Sequence, residues 1–274
     1  MQRVVFISGS TDGIGLETAR SLVSLGHHVI LHGRSADKLS RVEEELSSLD
    51  GSGTVEAVRA DLSRLVAVDG LAETLSSGRP LDVVINNAGV YKAPDPLTPD
   101  GLDLRFAVNT IAPYRLTKLL LPAMGPEGRV INLSSAAQAT VDLRAMAGEV
   151  RLPDGAAYAQ SKLALTMWSR SMGLALAESG PMVVSVNPGS LLGTKMVKEA
   201  FGHVRADVSV GADILVRAAL SPEFASASGE YFDNDAGRFA PPHPDALDPA
   251  LCAEVVATID RILKDKAVEQ EEGR

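Results

Sequence analysis

The sequence predicts a single doubly wound Rossmann-type α/β domain, in which helices cover both faces of a central parallel β-sheet. Six short runs are nearly all apolar and rich in β-branched residues, as strands buried on both faces of a parallel sheet require. Stretches with helical periodicity separate these runs, so strands and helices alternate along the chain. The predicted strands are Val4–Ile7, 29–31, 55–58, 83–85, 130–133 and 183–186.

The chain is expected to form one domain over residues 1–268, followed by a flexible tail at 269–274. Its 274 residues could also make two small domains, but no linker rich in proline, glycine and serine divides the strands. A last helix is predicted from about 249 to 266. The stretches 136–155 and 189–208 follow strands and depart from the alternation, so we expect them to shape a substrate cleft where the strands end.

Charge and cysteine content exclude several classes of function. The chain has 26 lysines and arginines against 35 aspartates and glutamates, a net charge of −9, which disfavours nucleic acid and anionic membrane surfaces as partners. Cys252 is the single cysteine, so no internal disulfide and no metal site are expected, and a cytoplasmic location is predicted. No apolar run approaches the roughly 20 residues of a membrane-spanning helix, and no signal peptide is expected.

A glycine-rich turn follows the first strand and precedes a helix. Such a turn lets backbone N–H groups approach a pyrophosphate at the positive end of the helix dipole, which predicts a dinucleotide site. The alternative is a tight strand-to-helix turn that binds no ligand. The predicted contact residues in this turn are Gly9, Ser10, Thr11, Gly13, Ile14 and Gly15.

The second strand is followed by Arg34 and Ser35, with Gly33 before them and no acid nearby. A carboxylate here would bind the adenosine ribose of NAD, whereas a guanidinium and a hydroxyl suit the 2′-phosphate of NADP. NADP is therefore the preferred cofactor, with NAD as the second choice; the alternative is that Arg34 is only a solvated loop cation. Asp61, next to Leu62 after the third strand, either binds the adenine amino group or caps the following helix.

Further polar residues lie at the ends of later elements. Asn86, Asn87, Ala88 and Gly89 follow the fourth strand, where amides tie backbone ends together and small residues let the chain approach a cofactor. Asn109 lies within a predicted helix, where a buried amide either caps an internal defect or takes part in a proton relay.

A tyrosine and a lysine stand four residues apart in a later helix. Tyr158 and Lys162 then share one helical face, where an ammonium group would lower the pKa of the phenol and make it a usable acid. An exposed helix pair without function is the alternative. Ser134 and Ser135 follow the fifth strand and complete the set of polar residues.

These motifs together resemble the short-chain dehydrogenase/reductase (SDR) superfamily, and in particular its retinol-dehydrogenase-like and carbonyl-reductase branch. The resemblance implies that Tyr158 is the general acid/base and that Lys162 lowers the pKa of Tyr158 and holds the nicotinamide ribose. It implies that Ser135, which stands in the family's serine position, orients the substrate oxygen, and that Asn109 supports a water relay to Lys162. The implied contacts to NADP are Gly9, Ser10, Thr11, Gly13, Ile14, Gly15, Arg34, Ser35, Asp61, Leu62, Asn87, Ala88, Gly89, Tyr158, Lys162, Pro188, Gly189 and Thr194.

The chain departs from the family pattern at three places. The interval from Ser135 to Tyr158 is longer than in most members, which is similar to the retinol-dehydrogenase-like branch. Thr194 comes one residue later after Pro188 and Gly189 than the family's interval, which puts the contact of its hydroxyl with the nicotinamide carboxamide in doubt. Arg34 replaces an acid, as in NADP-preferring members.

The resemblance implies an enzyme that interconverts a ketone or aldehyde and the corresponding alcohol by hydride transfer. A catalytically silent, NADP-binding scaffold of the same fold is the alternative. A bulky apolar substrate is expected if the residues after the sixth strand line a pocket, and an ordinary amphipathic helix is the alternative there. Those residues are Leu191, Leu192, Met196, Val197 and Phe201. A homodimer or homotetramer is expected from the habit of the family.

Overall fold

A computed structural model describes residues 1–49, 51 and 53–272, without the side chains of 200, 201 and 270–272. It contains one eight-stranded sheet in the order β3-β2-β1-β4-β5-β6-β7-β8, parallel except for the last strand. This architecture confirms the predicted α/β fold. The strands are β1 Val4–Ile7, β2 His28–Gly33, β3 Thr54–Arg59, β4 Val83–Asn86, β5 Arg129–Leu133, β6 Met182–Asn187, β7 Tyr231–Asp233 and β8 Arg238–Phe239.

Helices cover both faces of this sheet. A π-helical turn at Ala107–Ile111 joins two of them, and three short 3₁₀ turns lie at Leu121–Ala123, Pro222–Phe224 and Pro244–Leu247. The α-helices are α1 Gly13–Ser24, α2 Ala36–Ser47, α3 Leu65–Ser77, α4 Leu104–Phe106, α5 Ala112–Leu120, α6 Leu143–Met146, α7 Asp154–Leu176, α8 Lys195–Phe201, α9 Val208–Leu220 and α10 Pro249–Glu272.

The six predicted strands are present, and two further strands extend the sheet beyond β6. The strands β7 and β8 span only three and two residues, which is too short for a periodic signal. The last helix runs to Glu272 rather than to 266, so most of the segment that we expected as a tail is helical. Residues 273 and 274, the end of that segment, lie outside the described residues.

Two hydrophobic cores lie on the two faces of the sheet, because successive strand residues point to opposite faces. Phe6 belongs to a core formed with α3, α5, α7 and α10. Its neighbours Val5 and Ile7 belong to a second core, formed with α1, α2 and α9. The sheet is therefore buried on both sides, and polar ligands can reach it only where the strands end.

The long helix α7 is fixed firmly against β5. Asn132 on β5 donates from Nδ2 to the Ser169 hydroxyl at 2.8 Å, and the hydroxyls of Ser134 and Thr166 lie 2.6 Å apart. On its other side α7 packs against α10. These contacts set the position of α7 relative to the carboxyl end of β5, which is where the predicted catalytic residues lie.

The two predicted cleft stretches lie beyond β5 and β6 and contain the short helices α6 and α8. In the second stretch, Leu192 pairs with Ala206 in an isolated parallel bridge, which brings the two ends of the α8 loop together. Leu191, just before the bridge, has a φ of 54°. No helix among the described residues has the length and apolarity needed to cross a bilayer.

Candidate active site

The glycine turn between β1 and α1 is packed tightly against the chain that follows β4. Gly9 has a φ of 67°, and a Cβ there would lie 2.9 Å from the Cα of Ala88. A Cβ at Gly15 would collide with the Asn87 amide and the Gly9 carbonyl. Only glycine satisfies both positions, so the turn at the start of α1 can pack closely against the chain after β4.

Side chains hold this turn on both sides. The Asn87 amide donates to the carbonyls of Ser8 and Gly9 at 2.9 and 3.0 Å, while the Ser8 hydroxyl accepts from the backbone N–H groups of Asn87 and Ala88. Asn87 therefore contacts the protein backbone with its side chain, as the structural interpretation of the two asparagines predicts. Asn86 is buried and donates to Asn132 Oδ1 at 2.7 Å.

The side chain of Ser10, one of the predicted contact residues of the turn, is bound within the protein. Ser10 is buried, and its Oγ accepts from the backbone N–H of His32 at 2.8 Å. His32 also accepts the Gly9 N–H at its Nδ1, 3.1 Å away. Burial lowers the pKa of His32 to about 4, so this imidazole stays neutral and remains an acceptor at ordinary pH. Sequence reasoning missed His32 because a histidine in a strand carries no specific signal.

Thr11 is packed over the end of β2. A Cβ at Gly33 would lie 2.8 Å from the Thr11 methyl carbon and 3.3 Å from its hydroxyl oxygen. The space that an acidic side chain at 33 would need is therefore filled by Thr11. Ser35 caps α2 by accepting from the Lys38 N–H at 3.4 Å, and Arg34 is exposed beside it.

Asp61 does not cap the helix that follows it, so the second of its two predicted roles is wrong. Its Oδ1 accepts from the backbone N–H of Ser63 at 3.0 Å and from the Ser63 hydroxyl at 2.7 Å. Helix α3 begins later, at Leu65, whose N–H donates to Asp100. Leu62 directs its side chain into the core, so it can offer a cofactor only its backbone.

Ser135 and Ser134 have different environments at the end of β5. Ser134 is buried against Thr166. Ser135 is partly exposed, accepts the Ala137 N–H at 3.1 Å and hydrogen-bonds the Tyr158 hydroxyl. The geometry therefore favours Ser135 as the serine that can reach a substrate.

Tyr158 is half-buried in α7, with the ring of Tyr91 at 5.0 Å between centroids. Burial raises the pKa of its phenol, the Ser135 hydrogen bond lowers it, and the nearby Tyr91 raises it further. The net shift is upward, which is the opposite of the expected effect of Lys162. The phenol is therefore neutral and carries a proton that it can donate.

Lys162 is buried, and its ammonium lies 5.8 Å from the centroid of the Tyr158 ring. Its Nζ donates to the carbonyl of Leu133 at 2.7 Å. Burial lowers the pKa of Lys162 to about 8, because a neutral carbonyl compensates little of the lost hydration of the charge. Because Lys162 loses its proton near pH 8, it is largely neutral in the higher pH range where Tyr158, with its raised pKa, ionises, so it does not lower the pKa of Tyr158 in this arrangement.

Asn109 lies in the π-helical turn between α4 and α5, where the helical hydrogen-bond pattern is interrupted. Its side chain accepts from the Val90 N–H at 2.8 Å and donates to the Val90 carbonyl at 3.0 Å and to the Ser161 hydroxyl at 2.9 Å. The amide is thus satisfied by the loop after β4 and by α7. A Cβ at Gly89 would lie 3.5 Å from Lys162 Nζ and 3.6 Å from Asn109 Oδ1, so the three residues are neighbours.

The loop after β6 returns toward the glycine turn. Asn234 donates to the Pro188 carbonyl at 2.9 Å, and Gly189 has a φ of 118°. Thr194 caps α8 by accepting from Val197 N–H, and its methyl carbon lies 3.5 Å from where a Cβ at Gly13 would be. A cavity of about 410 Å³ separates α1 from α8, with Gly13, Thr194 and Lys198 in its wall. Thr194 therefore stands by the first turn of α1.

The apolar residues of the α8 loop do not act as one pocket wall. Leu192 is buried and packs between Gly189 and Gly211, which makes it a core residue. Leu191, Met196 and Val197 are partly exposed. Phe201 lies outside the residues whose side chains are described.

Two side chains, one nearby and one distant in sequence, converge on the carbonyl of Ser135. Its carbonyl accepts from Gln138 Nε2 at 2.9 Å and from the Tyr231 hydroxyl at 3.2 Å. Gln138 in turn accepts the backbone N–H of His243 at 3.3 Å. Sequence reasoning missed Tyr231 because it is 96 positions from Ser135 and shares no motif with it, and it missed Gln138 because a glutamine in a loop carries no specific signal.

The comparisons with known proteins agree with this geometry. The family model described as short chain dehydrogenase matches residues 3–204. Human polyprenol dehydrogenase is 31% identical over 255 residues, covering 85% of this chain and 77% of the human protein. Mouse retinol dehydrogenase 12 is 31% identical over 245 residues, covering 85% of this chain and 78% of the mouse protein.

Solved structures give the same fold. A crystal structure of an uncharacterized protein from Mycobacterium Paratuberculosis matches with a TM-score of 0.78 and 27% identity, covering 96% of this chain and 94% of that one. A short chain dehydrogenase from Burkholderia cenocepacia, solved in complex with NADP, matches with a TM-score of 0.67 and 25% identity, covering 85% of this chain and 95% of that one.

Proposed function

Since the chain belongs to the short-chain dehydrogenase family, with polyprenol and retinol dehydrogenases among its relatives, we propose that it interconverts an alcohol with a ketone or aldehyde and prefers NADP. Membership of this family alone makes the protein an NAD(P)-dependent oxidoreductase. The proposed interconversion of alcohol and carbonyl rests on one observation. Ser135, Tyr158 and Lys162 lie together next to Gly89 in the loop after β4.

The cofactor site is supported by the position of the glycine turn. Gly9 and Gly15 let the turn pack against the chain after β4, and Gly13 begins α1, where the helix dipole favours a diphosphate. Arg34, by this proposal, binds the 2′-phosphate, and Lys162 holds the nicotinamide ribose beside Gly89. A bound nicotinamide cofactor supplies or accepts the hydride in this family.

The remaining chemistry is the movement of one proton. In the direction of carbonyl reduction, the neutral Tyr158 hydroxyl donates its proton to the substrate oxygen as the hydride adds to carbon. Ser135, already hydrogen-bonded to that hydroxyl, orients the same oxygen. The loss of the proton turns Tyr158 into a phenolate, which the protonated amine of Lys162 stabilises.

We propose a bulky apolar alcohol or carbonyl compound as the substrate. Two of the relatives are named for polyprenol and retinol, and the partly exposed Tyr91 and Leu191 offer apolar surface near the loops around the site. A cytoplasmic location and a homodimer or homotetramer remain predictions.

Activity measured with a panel of aldehydes and ketones tests the proposal. We expect the purified protein to oxidise NADPH with bulky apolar carbonyl compounds and Tyr158→Phe to be inactive in the same assay. A protein that binds NADPH but consumes none with any compound, in either direction, would instead be the silent scaffold.

A further inference from the structure

The pair of arginines at the ends of β2 and β3 extends the proposed cofactor site. We infer that Arg59 is a second cation of the 2′-phosphate subsite and that it determines specificity for NADP together with Arg34. The inference rests on the proposed function, because it assumes that NADP binds along the glycine turn. It adds a residue that lies 25 positions from Arg34 and belongs to no motif found in the sequence.

The register of the sheet places Arg59 beside Arg34. Gly33 on β2 pairs with Arg59 on β3, so the residue after Gly33 and the last residue of β3 are neighbours at the carboxyl edge. The Arg59 Nε donates to the Arg34 carbonyl at 3.1 Å. This bond fixes the base of the Arg59 guanidinium next to the Arg34 backbone.

Both guanidinium groups have donors to spare. Beyond the Nε contact, no hydrogen bond joins either guanidinium to another described residue, and no carboxylate of the described chain lies within ion-pair distance of either. Both residues are exposed. Two cationic side chains thus start from neighbouring backbone positions without a counterion among the described residues, an arrangement that a dianionic phosphate would stabilise.

Thr11 lies next to Gly33 at this edge of the sheet. Because the Thr11 side chain fills the space above Gly33, an acid at 33 that could bind two ribose hydroxyls has no room without a movement of Thr11. The edge therefore combines two cations with a hydroxyl and excludes the side chain that NAD-preferring sites use.

Binding of 2′,5′-ADP and 5′-AMP to the whole protein isolates the 2′-phosphate from catalysis. Titration calorimetry on the parent, Arg34→Gln, Arg59→Gln and the double variant gives a dissociation constant for each ligand. Glutamine keeps an N–H donor for the Arg34 carbonyl. Arg41→Gln, which removes an exposed arginine from α2, is the matched control.

We expect Arg59→Gln to weaken 2′,5′-ADP about tenfold, the lower end of what a charge-assisted hydrogen bond contributes, because the site is exposed. Binding of 5′-AMP should change less than about twofold, and Arg59→Lys should recover part of the lost affinity. The affinity of the parent for 2′,5′-ADP should also fall more steeply with salt than that of Arg59→Gln.

Several results would overturn the inference. Unchanged binding of 2′,5′-ADP in Arg59→Gln would remove Arg59 from the subsite. An equal loss for both ligands would show that the Nε bond only supports the loop. An equal loss of 2′,5′-ADP affinity in Arg41→Gln would show that Arg59 acts only through the net charge of the protein. A parent that binds both ligands equally would contradict the proposed NADP preference itself, whereas a preference that depends on Arg34 alone would contradict only the role of Arg59.

Discussion

The half of the site that would hold the dinucleotide and the half that would hold the substrate are built in different ways. Around the glycine turn, contacts join residues at the ends of adjacent strands, such as Asn87 with Ser8 and Ser10 with His32. Around Ser135, contacts come from Gln138, from β7 and, through Gln138, from the segment after β8. The first half is held by the sheet edge itself, and the second depends on how the carboxyl-terminal part of the chain packs.

The difference teaches where substitutions should act. A change in the first half should alter cofactor affinity, because the turn and the strands move together. A change in the second half should alter turnover or substrate affinity and leave cofactor affinity unchanged. Lys162, which lies between Gly89 and Tyr158, is the residue where the two halves meet.

Tyr158→Phe is the largest test of this separation. We expect kcat to fall by at least about 100-fold, because a positioned acid supplies that much, while the cofactor dissociation constant stays within about twofold. Steady-state kinetics and cofactor titration measure the two quantities. Tyr114→Phe is the control, since it removes the hydroxyl that donates to Asp260 on α10, away from the site. A variant that keeps more than a tenth of kcat would show that Tyr158 is not the acid.

Gly9→Ala tests the other half. A left-handed φ costs an alanine about 1–2 kcal/mol, and its Cβ would press against Ala88 at 2.9 Å. We expect cofactor affinity to fall roughly tenfold and Tm to drop by roughly 4–8 °C.

Gly70→Ala is the matched control for Gly9→Ala. Gly70 lies within α3 and has no atom within 4 Å of a built Cβ, so alanine should stabilise the helix by up to about 1 kcal/mol. If Gly9→Ala bound the cofactor as well as Gly70→Ala does, the turn would not be part of the cofactor site.

Sequence reasoning recovered the fold and the local motifs but not the long-range contacts. The strands of the parallel sheet are short apolar runs, which a linear pattern reveals, whereas β7 and β8 exist only because they pair with β6 and with each other. Thr11, Ser35 and Asn87 follow the strands that the motifs assigned them to, and their contacts with a cofactor stay predictions. The predicted direction of the Tyr158 pKa was wrong, since helical spacing alone cannot show that burial raises the pKa of Tyr158 and lowers that of Lys162.

The pH dependence of cofactor binding tests the role of Lys162, the residue where the two halves of the site meet. Lys162 has a pKa of about 8 in the cofactor-free protein, because it is buried. Cofactor oxygens that accept from the ammonium would raise this pKa in the complex, so binding takes up a proton above pH 8. Affinity should therefore be constant near pH 7 and fall by up to about tenfold per pH unit above 8, measured by titration between pH 7 and 9.5. Lys162→Met should remove this slope; a slope that persists would assign the proton to another group.

Tyr231→Phe is the smallest and most selective test, because it removes one of two donors to the Ser135 carbonyl. Burial and the nearby carboxylates of Asp233 and Asp235 raise the pKa of Tyr231, so its hydroxyl is a donor at every working pH. Gln138 still donates at 2.9 Å in the variant, so Ser135 should shift only slightly. We expect kcat/KM to fall about three- to tenfold, with cofactor affinity within about twofold of the parent and the pH profile of kcat unchanged. The double variant with Gln138→Ala leaves the carbonyl without either donor and should lose more than the product of the single effects. A cofactor affinity that fell in parallel with kcat/KM would mean that the two halves are not separate, since a change 96 residues from Ser135 in sequence would then have reached the glycine turn as well.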